Sequence, residues 1–132
     1  MTIKSSQTLV EEAQKNIETL SPNEVKTLYE KKEITLIDVR DIRELWKEGT
    51  IKNSIHIPRG MLEFWLDPQS SYFQEKKIGD MKNIVLFCAL GFRSALATKA
   101  LKEMGFKNVA NASGGFDALK TVGLEVVNKE KK

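Results

Sequence analysis

The only cysteine of the chain, Cys88, stands where a run of strand length ends and a helix begins. Ile84, Val85, Leu86 and Phe87 lead into it, and Ala89, Leu90, Gly91 and Phe92 form a short loop after it. Arg93 and Ser94 then open a helix in which Leu96, Ala97, Ala100, Leu101 and Met104 recur at the spacing of one buried face, and Gly105 falls where a left-handed residue ends a helix. A helix start presents backbone N–H groups without intrahelical partners and the positive end of the macrodipole, and both favour an anion. With the Arg93 guanidinium close by, the Cys88 thiol is expected below the free value of about 8.5, in the range of roughly 3.5–7.5 found for reactive cysteines. Cys88 is then a nucleophile at neutral pH. The competing reading is a structural cysteine at the end of a core strand, because free cysteine is among the most buried residue types.

The order strand, cysteine, loop, arginine, helix resembles the active loop of the rhodanese-like sulfurtransferases, in which an arginine follows the cysteine by five positions. Cys88, Ala89, Leu90, Gly91, Phe92, Arg93 and Ser94 match that form. Three further segments resemble the same family: Leu36-Ile37-Asp38-Val39-Arg40, the stretch Gly49 to Gly60 (GTIKNSIHIPRG), and Gly114-Gly115-Phe116-Asp117-Ala118. Together the four segments cover about residues 17 to 120. The resemblance implies a three-layer α/β fold with a five-stranded parallel sheet of order 3-2-4-5-1 and helices on both faces. It also implies a Cys88 persulfide held in the loop from Ala89 to Ser94, formed from thiosulfate or a persulfide donor and discharged to a thiol or cyanide. A small sulfur-carrier protein is a further partner in this reading, and no cofactor is required.

Loop length separates this chemistry from that of the cysteine phosphatases and arsenate reductases, whose cradle for a tetrahedral oxyanion has one more residue between Cys and Arg. Four residues separate Cys88 from Arg93, a ring suited to a sulfur atom, and there is no second cysteine for an arsenate reductase cycle. A non-catalytic rhodanese-like binding module is the other alternative, although inactive modules commonly lack the cysteine. The chain also departs from the family pattern in places. Ala89 stands where many members have Arg, and Leu90 and Phe92 make the rim more apolar, so a dianionic donor such as thiosulfate is expected to be weaker than an organic persulfide. Thr50 stands where many members have His, and Leu119 where Trp is frequent.

The remaining elements position this loop. Ser21-Pro22-Asn23-Glu24 has the N-cap, first-position proline and capping-box glutamate of a helix start, with Val25, Leu28 and Tyr29 as its buried stripe. The run Ile34 to Val39 reads as a strand covered on both faces, interrupted by Asp38, a carboxylate that needs partners and is assigned a role in supporting the loop. Asp41 and Glu44 repeat the capping-box pattern, with Ile42, Leu45 and Trp46 expected inward. Further strands are expected at Ile17 to Leu20, Ser54 to Ile57 and Asn108 to Asn111, and Leu124 to Val127 is expected to cover the first strand or helix. In the apolar stretch from Met61 to Leu66, Phe64 is expected in the core, while Trp65 is either core or the lip of a pocket with Arg59 as its cationic contact. His56 is the only histidine and has no partner at ligand spacing, so no metal site is expected.

With 132 residues, 41% of them hydrophobic and 30% charged, the chain suits one globular domain able to fold without staples. A single cysteine excludes an internal disulfide and a resolving thiol, so sulfur on Cys88 must leave for an external acceptor. A net charge of +3 with scattered lysines gives no nucleic-acid surface. No long apolar stretch suggests a membrane span or signal peptide, and the cytoplasm is the expected location. The organisation read from the sequence is an amphipathic helical extension over 1–16, a rhodanese-like domain over 17–128 and a solvated charged tail over 129–132.

Overall fold

The structure, a computed structural model, describes residues 2–75, 81 and 83–131; Met1 of the extension and Lys132 of the tail lie outside them. Five strands pair in parallel: β1 (Glu18–Leu20), β2 (Thr35–Asp38), β4 (Ile55–His56), β5 (Ile84–Phe87) and β6 (Val109–Ala112). Their order is β1-β6-β5-β2-β4. Counted along the chain and read from the β4 edge, this is the expected order 3-2-4-5-1.

Alternation along the strands divides the apolar residues between two cores, as the pleat requires. Leu36, Val85, Phe87, Ala110 and Ala112 face one side, against Val25 of α2 (Pro22–Glu30) and Phe116 and Leu119 of α6 (Gly115–Thr121). Ile37, Val39, Ile84, Leu86, Cys88 and Val109 face the other, against Leu62 and Leu66 of α4 (Leu62–Leu66) and Ala97 and Leu101 of α5 (Phe92–Met104). Each fully buried Leu or Ile in these layers contributes roughly 1.5–3 kcal/mol. Both expected capping boxes are present, Ser21 with Glu24 on α2 and Asp41 with Glu44 on α3 (Ile42–Glu48).

α1 (Ser6–Asn16) packs along α5, burying Ala13 completely, and Lys102 of α5 donates to the Asn16 carbonyl. The amphipathic opening segment therefore lies on the surface of its own domain, over the helix that follows Cys88.

Two expectations are corrected. Trp46 is 37% exposed, because α3 is one short helix on which Leu45 alone is buried, and the Lys131 ammonium lies 5.2 Å from its ring centroid. Phe64 is 51% exposed and meets Tyr72 edge-on at 6.2 Å, whereas Leu62 and Leu66 take the inward positions of α4. The closing segment adds to its expected cover a pairing of its own: Leu124 and Val126 pack in the cluster that holds Leu20 and Val25, and β7 (Val126–Val127) pairs antiparallel with β3 (Thr50–Ile51).

Candidate active site

Cys88 follows β5 at the carboxyl end of the sheet, beside β2, where the chain connections diverge to opposite faces; such a switch point is the usual crevice of an open α/β sheet. Gly91, at φ +103°, is the N-cap of α5 and turns the backbone so that the first N–H groups of the helix point back toward the sulfur. Sγ accepts from the Gly91 N–H at 3.1 Å and the Ser94 N–H at 3.4 Å, with the Ser94 hydroxyl at 3.4 Å. Cys88 itself is only 1% exposed and lies at the base of the loop.

Burial pushes the thiol pKa up, and this is the largest single influence, but the Ser94 hydroxyl and the N–H groups of Ser94, Gly91 and Leu90 together outweigh it and hold the thiol below its ordinary value. The thiolate is thus the form the loop favours. Alkylation of Cys88 by iodoacetamide should therefore rise with pH to a plateau whose midpoint lies below the free-thiol value of about 8.5. Ser94→Ala should move that midpoint upward. A wild-type midpoint at or above the free-thiol value would refute the electrostatic reading of the loop.

Behind the loop, Asn111 is a clamp that the sequence reading did not single out. It is buried in β6, its side-chain amide donates to the Gly91 carbonyl at 3.1 Å, and its Oδ1 accepts from the Ser94 hydroxyl at 2.6 Å. Asn111 and the sulfur therefore compete for the single Ser94 hydroxyl proton, and the bond to Asn111 is the shorter. A polar side chain inside the run Val109-Ala110-Asn111-Ala112 was the available signal, since a buried amide requires partners. The opposite wall is Gly115, at φ +60°, where an added Cβ would fall 2.4 Å from the Cys88 carbonyl oxygen. The Phe116 N–H donates to that same oxygen at 2.7 Å.

Asp38 does not touch the loop. It is fully buried with Arg40, whose Nε and Nη2 grip its carboxylate at 2.8–3.2 Å, and it accepts from the Thr50 hydroxyl at 2.8 Å. Arg40 also donates to the Gly49 carbonyl at 2.7 Å and lies 4.1 Å over the Phe116 ring. A chain of contacts thus runs from Asp38 through Arg40 and Phe116 to the Cys88 carbonyl.

Arg93 gives its two terminal nitrogens to the carboxylate of Glu44, at 2.8 and 2.9 Å. This pairing, helped by the nearby Cys88 and opposed by burial, sets the guanidinium pKa above its ordinary value, and the same contact is the main cause of the lowered pKa of Glu44. Arg59 is paired with Glu63 at 2.8 Å. Trp65 packs partly buried against the core cluster that contains Cys88, so it takes the inward place expected of Phe64. His56 shares a hydrogen bond of 2.7 Å with the Arg40 carbonyl. Among the described residues no group of three or more His, Cys, Asp or Glu is arranged to hold a metal ion, and no helix is long and apolar enough to cross a membrane.

Fold and site together define a class: an open parallel α/β protein with a cysteine at the end of a central strand, its sulfur ringed by helix-start N–H groups. The sequence model of the rhodanese-like domain matches residues 21–121, and the chain belongs to that family. A mouse protein described as thiosulfate sulfurtransferase/rhodanese-like domain-containing protein 3 is 33% identical over 97 residues, 70% of this chain and 62% of its own length. The chain thus spans about three fifths of that curated relative. Among solved structures, a Rhodopseudomonas palustris protein of unknown function, described as a possible tyrosine phosphatase, is 38% identical with a TM-score of 0.87, over 96% of this chain and 98% of the other. The Wolinella succinogenes polysulfide-sulfur transferase homodimer is 37% identical with a TM-score of 0.70, over 93% and 87%.

Proposed function

We propose that the protein is a sulfurtransferase that carries a sulfane sulfur as a Cys88 persulfide. The observation that carries this reading is the convergence of the Gly91 and Ser94 N–H groups and the Ser94 hydroxyl on one sulfur atom, in a loop of four residues between Cys88 and Arg93. In the first half-reaction the Cys88 thiolate attacks the outer sulfur of a donor R–S–S⁻. The donor S–S bond breaks, R–S⁻ leaves, and the new S–S bond is on Cys88. The loop N–H groups and the start of α5 stabilise the terminal negative charge. In the second, a thiolate or cyanide attacks the terminal sulfur, forming a persulfide or thiocyanate and releasing the Cys88 thiolate. The kinetics are ping-pong.

Organic persulfides or polysulfide chains are the donors that fit best. Cys88 is buried at the base of the loop, so a slender sulfur chain reaches it more readily than a bulky group, and Leu90 and Phe92, 54% and 57% exposed, give an apolar rim. The description of the Wolinella neighbour as a polysulfide-sulfur transferase points the same way. In this reading Trp65 and Arg59 take the substrate-binding role and the Asp38–Arg40 pair the supporting one. A small sulfur-carrier protein is a further candidate donor, and a lone thiol at Cys88 fits a reducing cytoplasm.

The second reading, a phosphatase, rests on the description of the Rhodopseudomonas neighbour. The occupied Arg93 argues against it, since a phosphate dianion calls for a free guanidinium and this one is already bound by Glu44 on both nitrogens.

Intact-mass measurement tests the proposal. Incubation with glutathione persulfide should add about one sulfur atom to the protein, and cyanide should remove it; thiosulfate should load it more slowly. No gain from either donor on a protein with a titratable free thiol, or hydrolysis of an aryl phosphate at turnover rates, would overturn it.

A further inference from the structure

Within the loop from Cys88 to Ser94 the one formal positive charge is Arg93, since Ala89, Leu90, Gly91 and Phe92 carry none. That charge is balanced. Glu44 reaches it from α3, a helix 49 residues away in sequence, and meets both terminal guanidinium nitrogens in the two-point geometry in which carboxylate and guanidinium bind most strongly. Glu44 is held for this role by a second bond: its Oε2 accepts from the Asp41 N–H at 2.9 Å in the capping box of α3. The pair is partly exposed, with side chains 43% and 28% accessible, so it faces whatever approaches the loop. Arg59 is likewise paired, with Glu63.

We infer that Glu44 is a specificity-determining residue, which cancels the Arg93 charge at the mouth of the Cys88 loop and so selects reagents of low charge over anions. The selection acts on the approach of the reactive group and does not depend on the chemistry that follows. In sulfur transfer, the reading on which its biological meaning rests, it favours an organic persulfide over thiosulfate. This adds to the effect of Ala89 a second one, from a residue outside the loop. Glutamine at position 44 would keep a capping acceptor for α3, as Glu and Gln both serve at that position of the box, while removing the negative charge.

The test compares the rates at which Cys88 in the intact chain is alkylated by iodoacetate, an anion, and by neutral iodoacetamide. Their ratio is independent of the thiolate fraction and of any sulfurtransferase activity. Glu44→Gln should raise the iodoacetate-to-iodoacetamide ratio by roughly tenfold at low ionic strength, the scale of one half-exposed charge a few ångströms from the reacting atom, and added salt should shrink the gain. Adding Arg93→Gln to Glu44→Gln should return the ratio toward the wild-type value. In parallel, Glu44→Gln should lower the KM for thiosulfate more than that for glutathione persulfide. An unchanged alkylation ratio in Glu44→Gln, or a gain that survives the loss of Arg93, would overturn the inference. If no donor loads Cys88 while the alkylation ratio shifts as expected, the sulfurtransferase reading fails and the charge selection by Glu44 stands.

Discussion

Cys88→Ser is expected to abolish sulfur transfer, with a loss in kcat of at least about 10⁴-fold, the scale seen when a covalent nucleophile is removed. A serine hydroxyl is far less acidic than a thiol held below its ordinary pKa, and it cannot store a sulfane sulfur as a labile S–S bond. The substitution should leave the fold intact, because an oxygen in place of Sγ still accepts from Gly91 and Ser94 and the space vacated by the larger sulfur is small. Steady-state thiocyanate formation and intact mass measure the loss, and far-UV circular dichroism with a urea midpoint measures the fold. Turnover retained in the serine variant would sink the covalent mechanism. A folded variant that neither turns over nor gains mass is the expected result.

The parts of the site that act through local chain geometry were legible in the sequence. Cys88 could be placed between strand and helix because Ile84 to Phe87 is a short apolar run and α5 has a buried face, and the capping boxes of α2 and α3 are local patterns that need no tertiary knowledge. Glu44 was read correctly as a cap, yet its second role was invisible, because its partner Arg93 lies on another element and no periodicity links the two. Asn111 and Arg40 show the same limit in the interior. Each is a polar residue in an apolar setting, which signals an unmet need for partners without naming them. For Arg40 the two-residue spacing from Asp38 at the end of a strand offered a hint, since such residues share one face of the pleat. Phe64 went the wrong way, and Trp65 stayed open between core and pocket lip, because α4 has only five residues, too few for its inward face to be fixed by pattern alone. The sheet order came from the family resemblance, as local patterns carry no information on which parallel strands are neighbours.

Arg40 is the residue whose removal should cost the fold most. Its guanidinium and the Asp38 carboxylate are both out of water, at 1% and 0% side-chain exposure, so Arg40→Ala leaves a buried carboxylate with only the Thr50 hydroxyl and the Arg40 main-chain N–H as donors. Breaking one side of such a pair costs about 3–5 kcal/mol, a large share of the total stability of about 5–15 kcal/mol expected of a domain. The urea midpoint should fall accordingly while the slope of the transition stays the same. Because the cost arises from the stranded charge, Asp38→Asn combined with Arg40→Ala should cost clearly less than the sum of the two single changes. Additive effects would show that the two residues are independent and that the loss is one of packing against Phe116. The same substitution should also slow transfer in protein that remains folded, since the Arg40 guanidinium lies on the Phe116 ring and the Phe116 N–H holds the Cys88 carbonyl at 2.7 Å. Stability and activity would then be coupled through one short path, from a charge pair inside the sheet to the backbone of Cys88.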